Sequence, residues 1–166
     1  MSRTLRCAVL LLFCFMLSPA PTPAQKPAKD LFATVKQYAI CKQWTKAIEA
    51  SGLTKVYQGK DAVTMFAPTD DAFAKLKKED LDALFKEKSK LIKLVTYHTI
   101  EGDKLKVEDL LKKAKVPNSL GKNFTFKKDA DDNMTVEGVL MTSPDVPATN
   151  GMLHLIDTLL WTPAAK

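Results

Sequence analysis

Only one of the three cysteines, Cys41, lies outside an N-terminal segment that has the features of a cleavable leader. If 24 leader residues are removed from the 166, the remaining 142 cannot form an internal disulfide, even in an oxidising compartment. A chain near this length buries roughly 68–70% of its unfolded surface when it folds. We therefore expect a single domain that is stabilised by the packing of an apolar core.

The leader is predicted from an apolar run, Cys7–Leu17, which follows the basic residues Arg3 and Arg6. A helix that crosses a bilayer needs about 20 apolar residues, so this run of 11 is too short for a stable anchor. Small residues and prolines follow in Ser18–Gln25, as is typical of a cleavage site. We therefore predict a signal peptide over residues 1–24 in place of an uncleaved anchor.

The positive charge of the chain comes almost entirely from lysine. The formal net charge is +6 at pH 7, and it falls to +4 without the leader, which holds both arginines. Lysine lacks the rigid guanidinium fork that reads base edges, so sequence-specific nucleic-acid recognition is disfavoured. Three clusters could still bind acidic polymers as point charges, namely Lys75-Lys77-Lys78, Lys86-Lys88-Lys90 and Lys112-Lys113-Lys115. Acidic residues interleave with these lysines, which favours an ordinary solvated surface.

The first half of the mature chain has the pattern of short amphipathic helices. After a short linker at residues 25–30, Asp30 is placed to cap a helix that begins at Leu31 and is broken near Cys41. The next predicted elements are a strand at 62–67, a helix capped by Thr69, and helices at 80–85 and 90–98. His98 falls on the apolar stripe of the last helix, so we expect it to face the protein interior.

The second half changes to strands that are separated by turns. A short helix over 107–115 precedes four predicted strands, at 124–128, 134–137, 139–142 and 152–157. Asp129–Asn133 has the composition of a hairpin tip, and Asn150-Gly151 is a turn dipeptide. The last strand is almost continuously apolar, which is typical of a strand buried on both faces.

Three segments then carry a family resemblance. They are Thr64–Phe73 (TMFAPTDDAF), Tyr97-His98 at the end of a leucine-rich helix, and Asn150–Pro163 (NGMLHLIDTLLWTP). In this order and at this separation they resemble the fasciclin-like adhesion domain. The resemblance implies one domain over residues 31–165 with an α+β wedge fold. In that fold a two-sheet β-sandwich of about seven strands has several short α-helices packed on one side.

The resemblance also suggests roles for individual residues. In animal matrix members the Tyr-His segment and its apolar neighbours are associated with integrin-mediated adhesion. The candidate contact segment is here Leu94, Val95, Tyr97, His98 and Ile100. The same segment also has a purely structural interpretation, because fold integrity alone would require it. The other motif residues are expected to be structural: Thr64, Phe66, Ala67, Pro68, Thr69, Asp70, Phe73, Asn150, Gly151, His154 and Asp157.

Catalytic and metal chemistry have weaker support in the sequence. A hydrolase needs an activated nucleophile and a base, and the one thiol-base pair available is Cys41 with His98 or His154. These residues and Asp157 lack the close spacing of a zinc site. The acidic stretch Asp129–Asn133 is not followed by the glycine and glutamate of a calcium loop. We therefore predict no enzymatic activity, no metal and no cofactor.

These observations predict a secreted, extracytoplasmic binding module, located in a periplasm or outside the cell. We expect it to act in cell adhesion or at the extracellular matrix, through contacts with a surface protein or a glycan. The alternative is a soluble carrier that binds a small ligand between sheet and helices. No specific nucleic-acid partner is expected, and membrane contact is expected only through the signal peptide. Asn123 and Asn133 begin formal N-glycosylation sequons, which matter only in a eukaryotic host.

Overall fold

Short helices and a seven-stranded sheet make up the described part of the chain, residues 29–161 of a computed structural model. The predicted signal peptide at 1–24 lies outside the described residues, as do residues 162–165 of the predicted domain. Within the described part, no helix has the length and apolar character that crossing a membrane requires.

The helices are all short, between four and ten residues. In chain order they are α1 (Leu31–Gln37), α2 (Lys42–Ser51), α3 (Thr54–Tyr57), α4 (Asp70–Ala74), α5 (Lys78–Lys86), α6 (Lys88–Tyr97) and α7 (Val107–Lys113). Isolated helices of this length are marginal in water. Their stability must therefore come from burying one face against the rest of the domain.

Local sequence signals set the ends of the first two helices. The Asp30 side chain accepts a hydrogen bond from the Ala33 N–H at 2.8 Å, which caps α1. The chain turns through residues 38–41 before α2 begins, so the predicted break near Cys41 is confirmed. α2 ends at Gly52, whose φ of 82° is a left-handed conformation that glycine adopts without strain.

The strands follow mainly in the second half of the chain. They are β1 (Val63–Pro68), β2 (Thr99–Glu101), β3 (Lys115–Pro117), β4 (Asn123–Lys128), β5 (Met134–Val136), β6 (Val139–Pro147) and β7 (Gly151–Ile156). Their order in the sheet is β2-β1-β7-β6-β5-β4-β3. β1 and β7 are parallel, and the other neighbours are antiparallel. The two diagnostic motif strands therefore lie side by side.

The predicted α+β class is confirmed, but the predicted two-sheet sandwich is replaced by one continuous sheet. β6 is irregular, because its register with β7 shifts on both sides of Ser143 and Asp145 has a φ of 58°. Bulges of this kind increase the local twist and bend a strand. A single curled sheet can thus enclose an apolar core, as two sheets do in a β-sandwich.

The two edges of this sheet come close together. Ser119, which follows edge strand β3, donates its backbone N–H to the Thr99 carbonyl of edge strand β2 at 2.9 Å. Phe66 of β1 and Phe124 of β4 also meet, with ring centroids 5.6 Å apart, although other strands lie between them in the sheet. The sheet is therefore nearly closed, with a single seam between β2 and β3.

β1 and β7 separate two apolar cores. The helix-side core, between helices and sheet, includes Trp44, Ile48, Met65, Ala67, Phe73, Leu91, Leu94, Leu153 and Leu155. The barrel core, inside the curled sheet, includes Phe66, Leu110, Phe124, Phe126, Val136 and Ile156. Successive side chains of a strand point to opposite faces, so Phe66 enters one core while its neighbours Met65 and Ala67 enter the other. Every residue of β7 is buried, which confirms its predicted burial on both faces.

The differences from the predicted elements have local causes. The sequence pattern does not predict α3, β2 or β3, because three or four residues are too few to show a period. β6 runs to Pro147 instead of ending at Thr142, since its bulged region accommodates proline. The hairpin tip at Asp129–Asn133 is confirmed by the bond from the Asp129 N–H to the Asn133 carbonyl at 2.9 Å.

Candidate contact surface around Tyr97

The predicted contact segment spans the end of α6 and the start of β2. Leu94, Val95 and His98 are fully buried, and Ile100 is only 3% exposed. Tyr97 is half-buried, so it is the one residue of the five that offers substantial surface. As a contact site the segment stays a prediction, and its accessible part is Tyr97. The other four residues act through packing.

The Tyr97 ring is held in place by the barrel core. It packs edge-on against Phe124, with ring centroids 5.4 Å apart, and its backbone carbonyl accepts a hydrogen bond from Asn118 Nδ2 at 2.9 Å. Partial burial, followed by the nearby charge of Glu137, raises the pKa of the phenol above its usual value near 10. At neutral pH the surface therefore presents an uncharged aromatic ring on a rigid support.

A loop that the sequence analysis missed lies beside this residue. Asn118 Oδ1 accepts hydrogen bonds from the N–H groups of Leu120 (3.0 Å) and Lys122 (2.9 Å), which fixes the turn at 118–122. Leu120 in this turn is 47% exposed. The available signal was an apolar residue between turn-forming Asn118 and Gly121, a place where a side chain has no core to enter. We call Tyr97 and residues 118–122 the Tyr97 surface.

His98 forms two hydrogen bonds inside the protein. Its Nε2 accepts from the Leu160 N–H at 3.0 Å, so Nδ1 carries the proton and donates to the Leu94 carbonyl at 2.8 Å. The ring also lies 5.2 Å from the ring of Trp44. Burial lowers the pKa of His98 from 6.5 to about 4, and the bond to Leu94 opposes this shift only in part. His98 is therefore a neutral link between α6 and the segment after β7.

This pKa predicts acid sensitivity. Because the folded-state pKa of His98 lies below the unfolded value, its contribution is complete above about pH 6.5 and is lost as the pH falls towards 4. The loss at pH 4 amounts to about 3 kcal/mol of unfolding free energy. Urea unfolding at several pH values, for wild type and His98→Gln, measures it.

The glutamine variant separates His98 from the other titrating groups. Gln can accept from the Leu160 N–H without titrating, so the stability of His98→Gln should fall less steeply between pH 7 and pH 4. His154, whose pKa is also lowered by burial, contributes equally in both proteins. Equal slopes in the two proteins would contradict the assignment to His98.

His154 has a comparable structural environment in β7. Its Nδ1 accepts from the Asp145 N–H at 3.1 Å, and its Nε2 donates to the Leu105 carbonyl at 3.0 Å. Its ring stacks on Phe66 of the paired strand, with centroids 5.4 Å apart. Asp157 has a separate partner, Lys75, at 3.2 Å. These contacts support the structural interpretation of both motif residues.

The first motif builds a strand and the corner after it. Thr64 is fully buried, donates its hydroxyl to the Asp103 carbonyl at 2.8 Å and accepts from the Leu105 N–H at 2.9 Å. Ala67 and Pro68 end β1 in buried positions. The strand thus anchors the long connection between β2 and α7.

Thr69 begins α4 in a different way from the one predicted. Its backbone has the extended conformation of a helix cap, but its side chain makes no capping hydrogen bond. Its N–H instead donates to the Ile156 carbonyl at 3.0 Å, which continues the pairing of β1 with β7. Thr69 therefore occupies the predicted cap position, but the predicted side-chain hydrogen bond is not formed.

Asp70 and Phe73 connect α4 to the helical side of the domain. Asp70 Oδ1 accepts from the Gln43 N–H at 2.8 Å, and its own N–H donates to the Ile40 carbonyl at 2.6 Å. The Phe73 ring is 1% exposed and lies 6.4 Å from the ring of Trp44. Both residues fix α4 against α2 and the turn before it. Phe73 is buried and offers no surface to a ligand.

Asn150 and Gly151 join three parts of the chain. Asn150 Oδ1 accepts from the Leu31 N–H at 2.7 Å, and its Nδ2 donates to the carbonyls of Tyr57 (3.0 Å) and Gly59 (2.8 Å). A Cβ atom at Gly151 would clash with the backbone oxygen of Val63 on the paired strand. Glycine is therefore required by the close approach of β1 and β7.

The side chains that were considered for catalysis, Cys41, His98 and His154, are fully buried. Burial, assisted by the charge of Asp70, raises the pKa of the Cys41 thiol to about 12, so the nucleophilic thiolate is suppressed. Both histidines use their ring nitrogens in backbone hydrogen bonds. Among residues 29–161, no group of three or more His, Cys, Asp or Glu side chains is placed to hold a metal ion.

The three lysine clusters are partly neutralised by neighbouring carboxylates. One lysine of each cluster forms an ion pair, in the pairs Lys75–Asp157 (3.2 Å), Lys90–Glu87 (2.8 Å) and Lys113–Asp103 (3.1 Å). These pairs are solvent-exposed, so each contributes little to stability. The clusters therefore have the mixed charge of an ordinary solvated surface.

Both sequons lie on the outside of the β4–β5 hairpin. Asn123 is exposed at the first position of β4. Asn133 is exposed in the hairpin tip, where its Nδ2 lies 3.3 Å from Asp129 Oδ2. Both side chains are sterically accessible to modification, which would matter only in a eukaryotic host.

Comparison with known proteins gives the family. The family model of the Fasciclin domain matches residues 39–163. The protein sll1483 of Synechocystis sp. is 33% identical over 119 residues, which cover 70% of this chain and 64% of that protein. Human periostin is 28% identical over 143 residues, which cover 82% of this chain and 16% of periostin. The chain thus corresponds to only part of the length of these two relatives.

A solved structure shares the fold. The FAS1 domain pair from the insect cell adhesion molecule fasciclin I matches with a TM-score of 0.68 at 18% identity, over 81% of this chain and 51% of that one. The seven-stranded sheet, with α1 to α6 on one side and the motif strands β1 and β7 paired next to edge strand β2, is therefore the architecture of a known domain. Since the family model covers most of the sequence, this chain belongs to the fasciclin domain family.

Proposed function

We propose that this protein is a secreted, non-enzymatic binding module that acts in cell adhesion or at the extracellular matrix. The observation that carries the proposal is the Tyr97 surface, where an aromatic ring and the exposed Leu120 side chain lie on a rigid support. Aromatic residues on rigid supports are frequent anchors of protein interfaces. Export to a periplasm or to the extracellular space follows from the predicted signal peptide.

The family supports this class of function. Fasciclin I is described as a cell adhesion molecule, and periostin and the fasciclin-like arabinogalactan protein elcF of Phaeosphaeria nodorum are similar to this chain. We infer that the partner is a cell-surface or matrix protein or a glycan. Contacts with the Tyr97 ring and the Leu120 side chain would be mainly apolar, because the phenol is neutral and Leu120 carries no charge. Binding there should therefore depend little on salt.

The carrier alternative needs a cavity between the sheet and the helices. That space is filled by large side chains of the helix-side core that are at most 1% exposed: Trp44, Met65, Phe73, Leu91 and Leu153. Close packing of this kind leaves no room for a small ligand. The packing of the described residues between the sheet and the helices therefore does not favour a carrier.

Replacing Tyr97 by Ala is expected to weaken partner binding by about tenfold or more, because truncating an aromatic anchor of an interface typically costs about 2 kcal/mol. The measurement is binding of the purified protein to panels of matrix proteins and glycans at 0.05 and 0.5 M NaCl. His98 is left intact, since it is fully buried and its replacement would change stability as well as binding.

Ile92→Ala provides the matched control. Ile92 lies on the same helix and is 38% exposed, but it is not part of the Tyr97 surface. The Ile92→Ala variant should bind the partner with wild-type affinity. Unchanged affinity of Tyr97→Ala would contradict the role of this surface, and a wild-type protein that binds no panel member would contradict the proposed function itself.

A further inference from the structure

A second surface lies on the helical side of the domain, away from any residue of the Tyr97 surface. A groove of about 470 Å³ runs between the end of α1 and the outer face of α2. Its lining includes Lys36, Tyr38, Lys42, Thr45 and Lys46. This volume falls within the roughly 300–1,000 Å³ of typical small-ligand sites.

The groove carries mostly positive charge, and only part of that charge is neutralised by ion pairs. Lys36 pairs with Glu49 at 3.3 Å across the two helices, and both side chains are about half exposed. Lys42 and Lys46 are exposed and form no ion pair with any residue of the described range 29–161. They are four positions apart on α2, so their ammonium groups lie on the same face of the helix. The groove therefore favours an anionic occupant.

Tyr38 gives the groove an aromatic wall. It is half-buried and packs against the helix-side core, so its ring cannot rotate freely into solvent. It follows the last residue of α1 and begins the turn to α2. A fixed aromatic ring next to two ammonium groups combines an apolar face with positive charge.

The turn beneath the groove is rigid. Asp70 holds the turn through two hydrogen bonds: its carboxylate accepts from the Gln43 N–H, and its own N–H donates to the Ile40 carbonyl. The Cys41 carbonyl also accepts from the Thr45 hydroxyl at 2.9 Å. The surface is therefore pre-organised, and a ligand would lose little free energy in ordering it.

We propose that this groove binds an acidic polysaccharide built from carboxylated sugars. The apolar face of a pyranose ring fits the Tyr38 ring, and its carboxylate fits the ammonium groups of Lys42 and Lys46. An extended acidic peptide fits less well, because helix side chains line the groove and it offers no sheet edge for backbone hydrogen bonds. The inference rests on the proposed binding function and names the partner class for a second surface.

Binding of an oligomer of galacturonic acid, about six sugars long, to the full-length secreted protein tests the proposal. We expect binding that weakens steeply between 0.05 and 0.5 M NaCl, since exposed charges are screened at high salt. Lys42→Gln with Lys46→Gln should weaken it by about tenfold or more. Tyr38→Leu, which keeps most of the apolar packing, should weaken it by about threefold to tenfold.

Two further variants make the test independent of folding defects. Glu49→Gln releases Lys36 from its ion pair and removes a negative charge from the groove, so it should strengthen binding, a change that misfolding cannot produce. Lys77→Gln with Lys78→Gln removes the same charge from an exposed site outside the groove and should leave the affinity within about twofold.

The outcomes separate this inference from the proposed function. If the two double lysine variants weakened uronate binding equally, the effect would come from the overall charge of the protein. That result would overturn the groove assignment. Tighter binding of a hexaglutamate peptide than of the uronate oligomer would overturn the sugar assignment in favour of an acidic protein. If the protein bound no uronate but still bound another partner through Tyr97, the proposed role of the groove would be overturned. The proposed function would remain supported.

Discussion

Replacing Phe73 by Ala is expected to lower the free energy of unfolding by about 3–5 kcal/mol, the typical cost of truncating a fully buried aromatic ring. Phe73 is 1% exposed and packs beside Trp44 in the helix-side core. It lies on α4, a helix of five residues that has little stability of its own. The loss of its ring therefore removes the aromatic contact of α4 with α2. Urea or thermal unfolding at pH 7 measures the change.

Phe73→Leu is the conservative comparison. Leucine retains most of the apolar volume, so its cost should stay near 1–2 kcal/mol. A Phe73→Ala protein with nearly wild-type stability would contradict the placement of this ring in the core. Equal losses for Ala and Leu would show that the aromatic shape, and not the buried volume, decides the effect.

Asn150→Ala is expected to destabilise the protein to a similar extent, by about 3–5 kcal/mol. The reason is the number of groups that one side chain satisfies: the Leu31 N–H and the carbonyls of Tyr57 and Gly59. Asn150 is only 4% exposed, so water cannot easily replace it. Each buried polar group left without a partner costs about 1–3 kcal/mol. Chemical unfolding and amide exchange at Leu31 would measure the total and its location.

Asn118→Ala is a matched control for this prediction. Asn118 also makes three hydrogen bonds to backbone groups, with Tyr97, Leu120 and Lys122. Asn118 is itself only 4% exposed, but its partners Leu120 and Lys122 are exposed and Tyr97 is half-buried. Water can therefore reach the partner groups of these bonds, so we expect a cost near 1 kcal/mol. If the two alanine variants lost equal stability, burial of the Asn150 network would not be the cause.

Local elements of the fold could be predicted closely from the sequence. The cap at Asp30, the break near Cys41 and the hairpin tip at Asp129–Asn133 depend on residues that are neighbours in the chain, and the structure confirms all three. The interior position of His98 followed from helical spacing alone. Such features are decided by backbone preferences and by side chains a few positions apart.

The candidate site could be predicted only in part. Five neighbouring residues were assigned to one contact segment, yet Leu94, Val95, His98 and Ile100 are buried and Tyr97 is not. The segment turns from a helix into a strand at His98, and that turn decides which side chains face outward. Leu120 joins Tyr97 through a turn more than twenty positions away, which no local pattern indicates.

The sequence by itself determined the helix and strand periods, the presence of a single cysteine, Cys41, beyond residue 24, and the motifs that indicate the family. Only the tertiary structure decided that the sheet is single and nearly closed, that Tyr97 is accessible, and that α1 and α2 form a basic groove. The physical reason is the range of the interactions. Periods and caps arise between residues within one or two turns, whereas the bond from Leu31 to Asn150 joins positions 119 residues apart. Exposure and hydrogen-bond partners depend on which distant segments pack together, and the chain acquires them only when it folds.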